Sequence, residues 1–162
     1  MKVIVLGASG KVGRVLAESL RSQGYEVVAP TRQEFDLRSL PDTLPESFND
    51  AEAIYLCAAK TRFIDCEADF ESYGINVDAQ IELAKKMKFM GARIIYLSSE
   101  AVEKALHTNY GNQKALAEIG LRSVADPIIA RIGSFSQAPE DACAFLIGLI
   151  KVPPGIYRWG IS

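Results

Sequence analysis

Short apolar runs alternate with amphipathic stretches along the chain. Residues 2–7, 26–29, 53–57, 93–97, 127–131 and 155–159 are brief runs rich in Val, Ile, Leu or aromatic side chains. Such near-continuous apolar runs fit strands buried on both faces. Between them, residues 12–23 place Val12, Val15, Leu16, Ala17 and Leu20 at helical spacing, and Gly24 follows as a stop. Residues 68–90 predict a long segment whose second half is helical, with Ile81, Leu83, Ala84 and Met87 apolar before Gly91. Residues 110–124 and 141–150 predict two more helices. Pro41 and Pro45 bracket a short polar turn or helix, and a brief extra strand is expected at residues 35–36. Strands alternating with helices predict an α/β fold: one doubly wound parallel sheet of about six or seven strands, with helices on both faces.

Composition narrows this to one unit. The 162 residues are 49% hydrophobic and 23% charged, which suits a single compact domain spanning 1–162. Eighteen basic residues against 20 acidic ones leave a net charge of −2, with no long run of either sign. That balance argues against nucleic acid and against an anionic membrane as partners. Cys57, Cys66 and Cys143 form neither a CxxC pair nor an even framework, so the thiols are read as reduced and the compartment as cytoplasmic. His107 has no partner at ligand spacing, so no metal is expected. The first apolar run is too short for the core of a signal peptide.

The first strand runs directly into Gly7-Ala8-Ser9-Gly10-Lys11-Val12-Gly13, where the first helix opens. Gly7 suits a tight turn, Gly10 lets backbone approach an anion, and Gly13 permits close packing of helix on strand. The helix amino terminus then turns bare N–H groups and a positive dipole toward a phosphate. The glycine spacing is one residue longer than the common dinucleotide fingerprint, so its weight comes from its place between strand and helix. After the second strand the chain reads Val28-Ala29-Pro30-Thr31-Arg32, without the acidic residue that would accept bonds from a ribose 2′-hydroxyl. Arg32 can instead pair with a 2′-phosphate, which favours NADP and keeps NAD as the alternative. Asp36 is a candidate for the adenine side of the pocket.

A second constellation lies downstream. Ser98 and Ser99 close one strand, and Tyr110 and Lys114 stand four residues apart on the next helix, where they share a face. A tyrosine is a sluggish proton donor or acceptor near neutral pH, and a neighbouring ammonium would favour its phenolate. Ser99 can hydrogen-bond an oxygen that alternates between carbonyl and hydroxyl. Cys57 and Cys143 read as small core residues, His107 as exposed, and Arg62 with Asp65 as a helix-start pair.

These motifs, in this order, resemble the extended short-chain dehydrogenase/reductase family, in particular its nucleotide-sugar reductases and epimerases. The likeness is carried by residues 1–13, 31–37, 57–61, Asn76-Val77, 96–99 and 110–114. It implies a Rossmann-type NAD(P)-binding domain over 1–162 with Ser99, Tyr110 and Lys114 in the catalytic positions. It further implies that Gly7, Ser9, Gly10, Lys11, Val12, Gly13, Arg32, Asp36, Leu37, Ala58, Ala59 and Lys60, with Tyr110 and Lys114, hold the cofactor. The implied substrate is a small carbonyl compound or sugar, commonly a nucleotide sugar. The segment between Ser99 and Tyr110 is shorter than in such enzymes, and only about thirty residues follow Arg131. Two expectations follow: an NADP-dependent oxidoreductase or a related epimerase, and, from a different class, a non-catalytic NAD(P)-binding sensor or partner subunit. A homodimer that covers the active edge is the expected assembly.

Overall fold

The computed structural model describes residues 1–68, 70–133 and 135–161; of Phe63 it describes only the backbone. Six strands, β1 (Lys2–Leu6), β2 (Glu26–Val28), β3 (Ala53–Leu56), β4 (Arg93–Ser99), β5 (Ile128–Ile132) and β6 (Gly155–Trp159), form one sheet in the order β2-β1-β3-β4-β5-β6. Every neighbouring pair is parallel. The helices are α1 (Lys11–Ser22), α2 (Phe63–Ala68), α3 (Glu71–Tyr73), α4 (Ala79–Phe89), α5 (Ala101–Lys104), α6 (Asn109–Val124) and α7 (Pro139–Gly148).

The alternation within each strand builds two cores. Ile4, Leu6, Ile54, Leu56, Ile94, Tyr96 and Ile129 face Leu83, Met87, Ala117 and Leu121 of α4 and α6. Val3, Val5, Tyr55, Ile95, Ile128 and Ala130 face Leu16, Leu20, Cys143 and Leu146 of α1 and α7. This is why the strand segments read as unbroken apolar runs: both faces are covered.

The order reverses at β1, since α1 leads outward to β2 while β3, β4 and β5 step the other way beneath α4 and α6. Both moves share one hand. The last crossover does not: it steps onward from β5 to β6, yet α7 lies on the α1 face. Right-handed crossovers are the strong rule. Here the opposite hand lets α7 cover Ile128, Ala130 and Ile132, which α1 does not reach alone.

One expectation changes. Residues 35–36 form no strand; they lie in a turn held by Phe35 N–H to the Thr31 carbonyl at 3.0 Å, and β2 is the sheet edge. Phe35 is buried because its ring meets Phe48 at a centroid distance of 5.0 Å, below the 3-10 turn Glu46–Phe48 that starts at Pro45. The segment 68–90 is helical in its second half, as its apolar spacing predicts, through α4. Between α3 and α4 the backbone widens into a π-helical turn, Gly74–Asp78, and Asp69 lies outside the described residues.

Leu83 is fully buried at the centre of the α4 packing. Leu83→Ala is expected to lower the unfolding free energy by about 3 kcal/mol, read from urea denaturation.

Candidate functional site

The site begins where β1 ends at the switch in strand order. Gly7 takes a left-handed φ of 84°, and its carbonyl accepts the Gly10 N–H at 3.0 Å. A Cβ on Gly7 would stand 2.6 Å from the Ala58 nitrogen, and one on Gly13 would stand 2.2 Å from the Gly7 carbonyl oxygen. Both contacts are with backbone, so neither position can take a side chain without displacing the loop. Gly10 caps α1 without a side-chain bond, and the first turn of α1 holds no acidic residue. The backbone donors of Lys11, Val12 and Gly13 therefore end the helix with the positive polarity that suits an anion. This is the cradle a pyrophosphate requires, and the glycines fit it.

A cleft of about 220 Å³ opens beside this turn. Gly7, Ser9 and Gly10 form one wall, Arg32, Asp36 and Leu37 the second, and Ala58, Ala59 and Lys60 the third. Asp36 sits between two guanidinium groups. Arg38 grips both of its oxygens, with Nε at 3.1 Å from Oδ1 and Nη2 at 2.5 Å from Oδ2. Those bonds hold the Asp36 carboxyl down at about 2. Arg32 stands 4.0 Å away on the cleft wall and keeps 61% of its side chain exposed. Glu71 then joins Arg38, at 3.8 Å, to the Lys60 ammonium across the mouth of the cleft. Cys57 lines the cleft and is only partly buried, unlike Cys143, which is a core residue as read from sequence.

Ser99, Tyr110 and Lys114 lie outside this lining, further along the same strand edge. The Ser99 side chain lies close enough to the Tyr110 hydroxyl to favour its ionised form. The Ser99 hydroxyl also accepts the Ala101 N–H at 3.1 Å, which fixes it at the start of α5. Thr108 caps α6 by accepting the Gly111 N–H at 3.1 Å, so the helix opens one residue before Tyr110. Lys114 is 4% exposed; its ammonium donates to the Leu97 carbonyl at 2.8 Å and stands 4.6 Å above the Tyr96 ring. The Tyr110 ring centroid is 6.0 Å from it. Burial pushes the Lys114 ammonium down to about 8. Burial also raises the Tyr110 hydroxyl, against the lowering effect of Ser99. The expected lowering of Tyr110 by Lys114 does not act in this state, where the ammonium is drawn to Leu97 and Tyr96.

Sequence reasoning missed two buried polar networks. The Asn76 side chain pairs with the Lys60 backbone in both directions: it accepts the Lys60 N–H at 2.8 Å and donates to the Lys60 carbonyl at 2.8 Å. Asn76 also donates to Gln113 Oε1 at 2.8 Å, and Gln113 donates to Ser72 Oγ at 2.9 Å. Gln80 fixes the same loop through the Ala58 carbonyl at 2.8 Å. In the second network Glu118, one turn past Lys114, takes a bidentate pair from Arg131 at 3.0 and 2.6 Å and the Ser98 hydroxyl at 2.5 Å. Arg131 continues to Glu103 at 2.7 Å, which also accepts from Arg158 at 2.6 Å. Their signal in the sequence is faint: Gln113 and Glu118 are polar residues on the buried side of an amphipathic helix.

Known proteins resemble this chain in sequence and in fold. A family profile described as the RmlD substrate binding domain matches residues 1–132. The dTDP-4-dehydrorhamnose reductase of Mycolicibacterium smegmatis is 28% identical over 102 residues, covering 62% of this chain. The chain spans 31% of that relative's length. A crystal structure of dTDP-4-dehydrorhamnose reductase from Bacillus anthracis, in complex with NADP, matches with a TM-score of 0.83 at 18% identity, over 99% of this chain and 75% of that one. The enzyme of the same name from Yersinia enterocolitica matches with a TM-score of 0.71 at 25% identity, over 82% of this chain and 52% of that one.

Lys114 yields a pH test. Below about 8 the folded chain holds a buried ammonium; between about 8 and the ordinary lysine value near 10.4, folding releases a proton, and stability from this position rises with pH. The unfolding free energy of the wild type minus that of Lys114→Met, from urea titrations, should shift toward the wild type across that window. A flat or falling difference contradicts the burial argument.

Proposed function

Because the chain belongs to the family described as the RmlD substrate binding domain, we propose that it is an NADP-dependent oxidoreductase of the short-chain dehydrogenase/reductase type. The observation that carries this reading is the grouping of Tyr110, Ser99 and buried Lys114, its ammonium 6.0 Å from the Tyr110 ring, on the strand edge that also bears the glycine turn. Residues 1–162 then form one NAD(P)-binding Rossmann domain. The relatives act on a dTDP-sugar according to their names, and a nucleotide sugar is the substrate class proposed here. The reduced thiols and the nearly balanced charge suit the cytoplasm. No helix among the described residues is long and apolar enough to cross a membrane.

In this reading the N–H groups of Lys11, Val12 and Gly13 hold the pyrophosphate, with Gly7, Ser9 and Gly10 giving close approach. Arg32 pairs with the 2′-phosphate of NADP, and NAD remains the weaker alternative because no carboxylate at the end of β2 awaits a 2′-hydroxyl. Asp36, Leu37, Ala58, Ala59 and Lys60 bound the adenosine and ribose path. When bound, the nicotinamide supplies or accepts a hydride at the carbonyl carbon of the substrate.

The chain's own residues manage the proton and the oxygen. Ser99 donates its hydroxyl hydrogen to the reacting oxygen, and Tyr110 gives that oxygen its proton in reduction or removes it in oxidation. Lys114 stands near enough to stabilise the phenolate that results, once a ligand draws its ammonium away from the Leu97 carbonyl. A second copy packed over the edge would shield the site. Exposed Phe70, Tyr73 and Leu106 give the segments that follow β3 and β4 the apolar surface such a partner needs.

Tyr110→Phe should lower kcat about 10²–10⁴-fold in a coupled NADPH assay with a dTDP-4-keto sugar, with NADP affinity held within about twofold. Turnover that survives the change, or its absence in the wild type together with tight NADP binding, favours the non-catalytic sensor or partner subunit. Arg32→Ala should weaken NADP about ten- to hundredfold in calorimetry and leave NAD nearly unchanged.

A further inference from the structure

Gln113 sits between Tyr110 and Lys114 in sequence, yet its side chain serves neither. It is 5% exposed, and its amide faces away into the interior between α6 and the π-helical turn. There Gln113 Oε1 accepts from Asn76, which is 1% exposed. The Asn76 amide nitrogen donates to Gln113 and to the Lys60 carbonyl and lies 3.7 Å from the Cys66 sulfur, a weak acceptor. Asn76 Oδ1 takes the Lys60 N–H. A regular helical turn would repeat every 3.6 residues; the wider turn at Gly74–Asp78 brings Asn76 round to meet Lys60 and Gln113 together.

We propose that Gln113 is a positioning residue that ties the helix bearing Tyr110 and Lys114 to the Lys60 backbone lining the cofactor cleft. This rests on the reading of that cleft as an NADP site. The tie runs from Gln113 to Asn76 through a buried hydrogen bond and from Asn76 to the Lys60 backbone through two partly buried ones, with the Cys66 thiol beside them donating to the Lys60 carbonyl at 3.3 Å. Cutting the first takes away the Asn76 amide's oxygen acceptor on α6 and leaves that N–H only the weak Cys66 sulfur at 3.7 Å, unless the amide turns from Lys60. Gln113 thus acts on the cofactor through backbone it does not touch.

Calorimetry of NADP against the full chain tests this, with thermal unfolding recorded for each variant. Gln113→Leu removes the acceptor and should raise the NADP Kd about tenfold at a temperature where the variant is folded. Gln113→Asn withdraws the amide by one methylene and should do the same, which keeps the test open if the leucine variant does not fold. Gln113→Glu retains an acceptor facing Asn76 and should stay within about threefold of the wild type. Wild-type Kd values in both Gln113→Leu and Gln113→Asn would overturn the tie and leave the amide a purely structural one. If the wild type itself binds no NADP, the reading of the cleft falls, and the inference with it.

Discussion

The carboxyl edge of this sheet depends on one close approach of backbone to backbone, the Gly7 carbonyl against the α carbon of Gly13. With no side chain at either position, α1 starts directly above the end of β1, and Ala58 can pass on the other side. Any larger residue would push the helix outward and carry its bare N–H groups away from the cleft. The same contact sets both the packing of α1 on the sheet and the polarity of the site, so stability and anion binding are bound to a single geometric condition.

Charge burial separates the two halves of α6. Glu118 is buried with a guanidinium and a hydroxyl already bonded to it, a satisfied arrangement that anchors the helix to β4 and β5. Lys114, one turn earlier, is buried against a neutral carbonyl and an aromatic face. An ammonium left without a carboxylate partner costs stability, and groups held in that condition gather where chemistry needs them. The helix thus carries a structural ion pair and a poised cation four residues apart.

Much of this was legible in the sequence. The strands could be read because Ile94, Ile95 and Tyr96 are buried whichever face they point to, and the glycine turn because its spacing reports backbone demands directly. Phe35 misled because a buried aromatic in a loop looks like a strand residue until Phe48, thirteen places on, is seen to receive it. The π-helical turn left no local mark: its reason is the Lys60 backbone, which lies outside its own segment. Gln113 and Glu118 stayed hidden for the same cause, since a buried polar residue is distinguished from an exposed one only by its partner. The hand of the final crossover was likewise a matter of which face remained bare, and nothing in residues 133–155 states that.

That crossover bears on how the chain reaches its native state. Because α7 completes the cover that α1 begins, the apolar surface of β3, β4 and β5 on that side stays open until the last quarter of the polypeptide has arrived. During synthesis the amino-terminal portion must exist for a time with Tyr55, Ile95 and Ile128 facing water, a surface that invites chaperones or aggregation. Ribosome-bound intermediates of this protein are therefore half-clad: complete on the α4 and α6 side, and sealed on the other only by the closing helix.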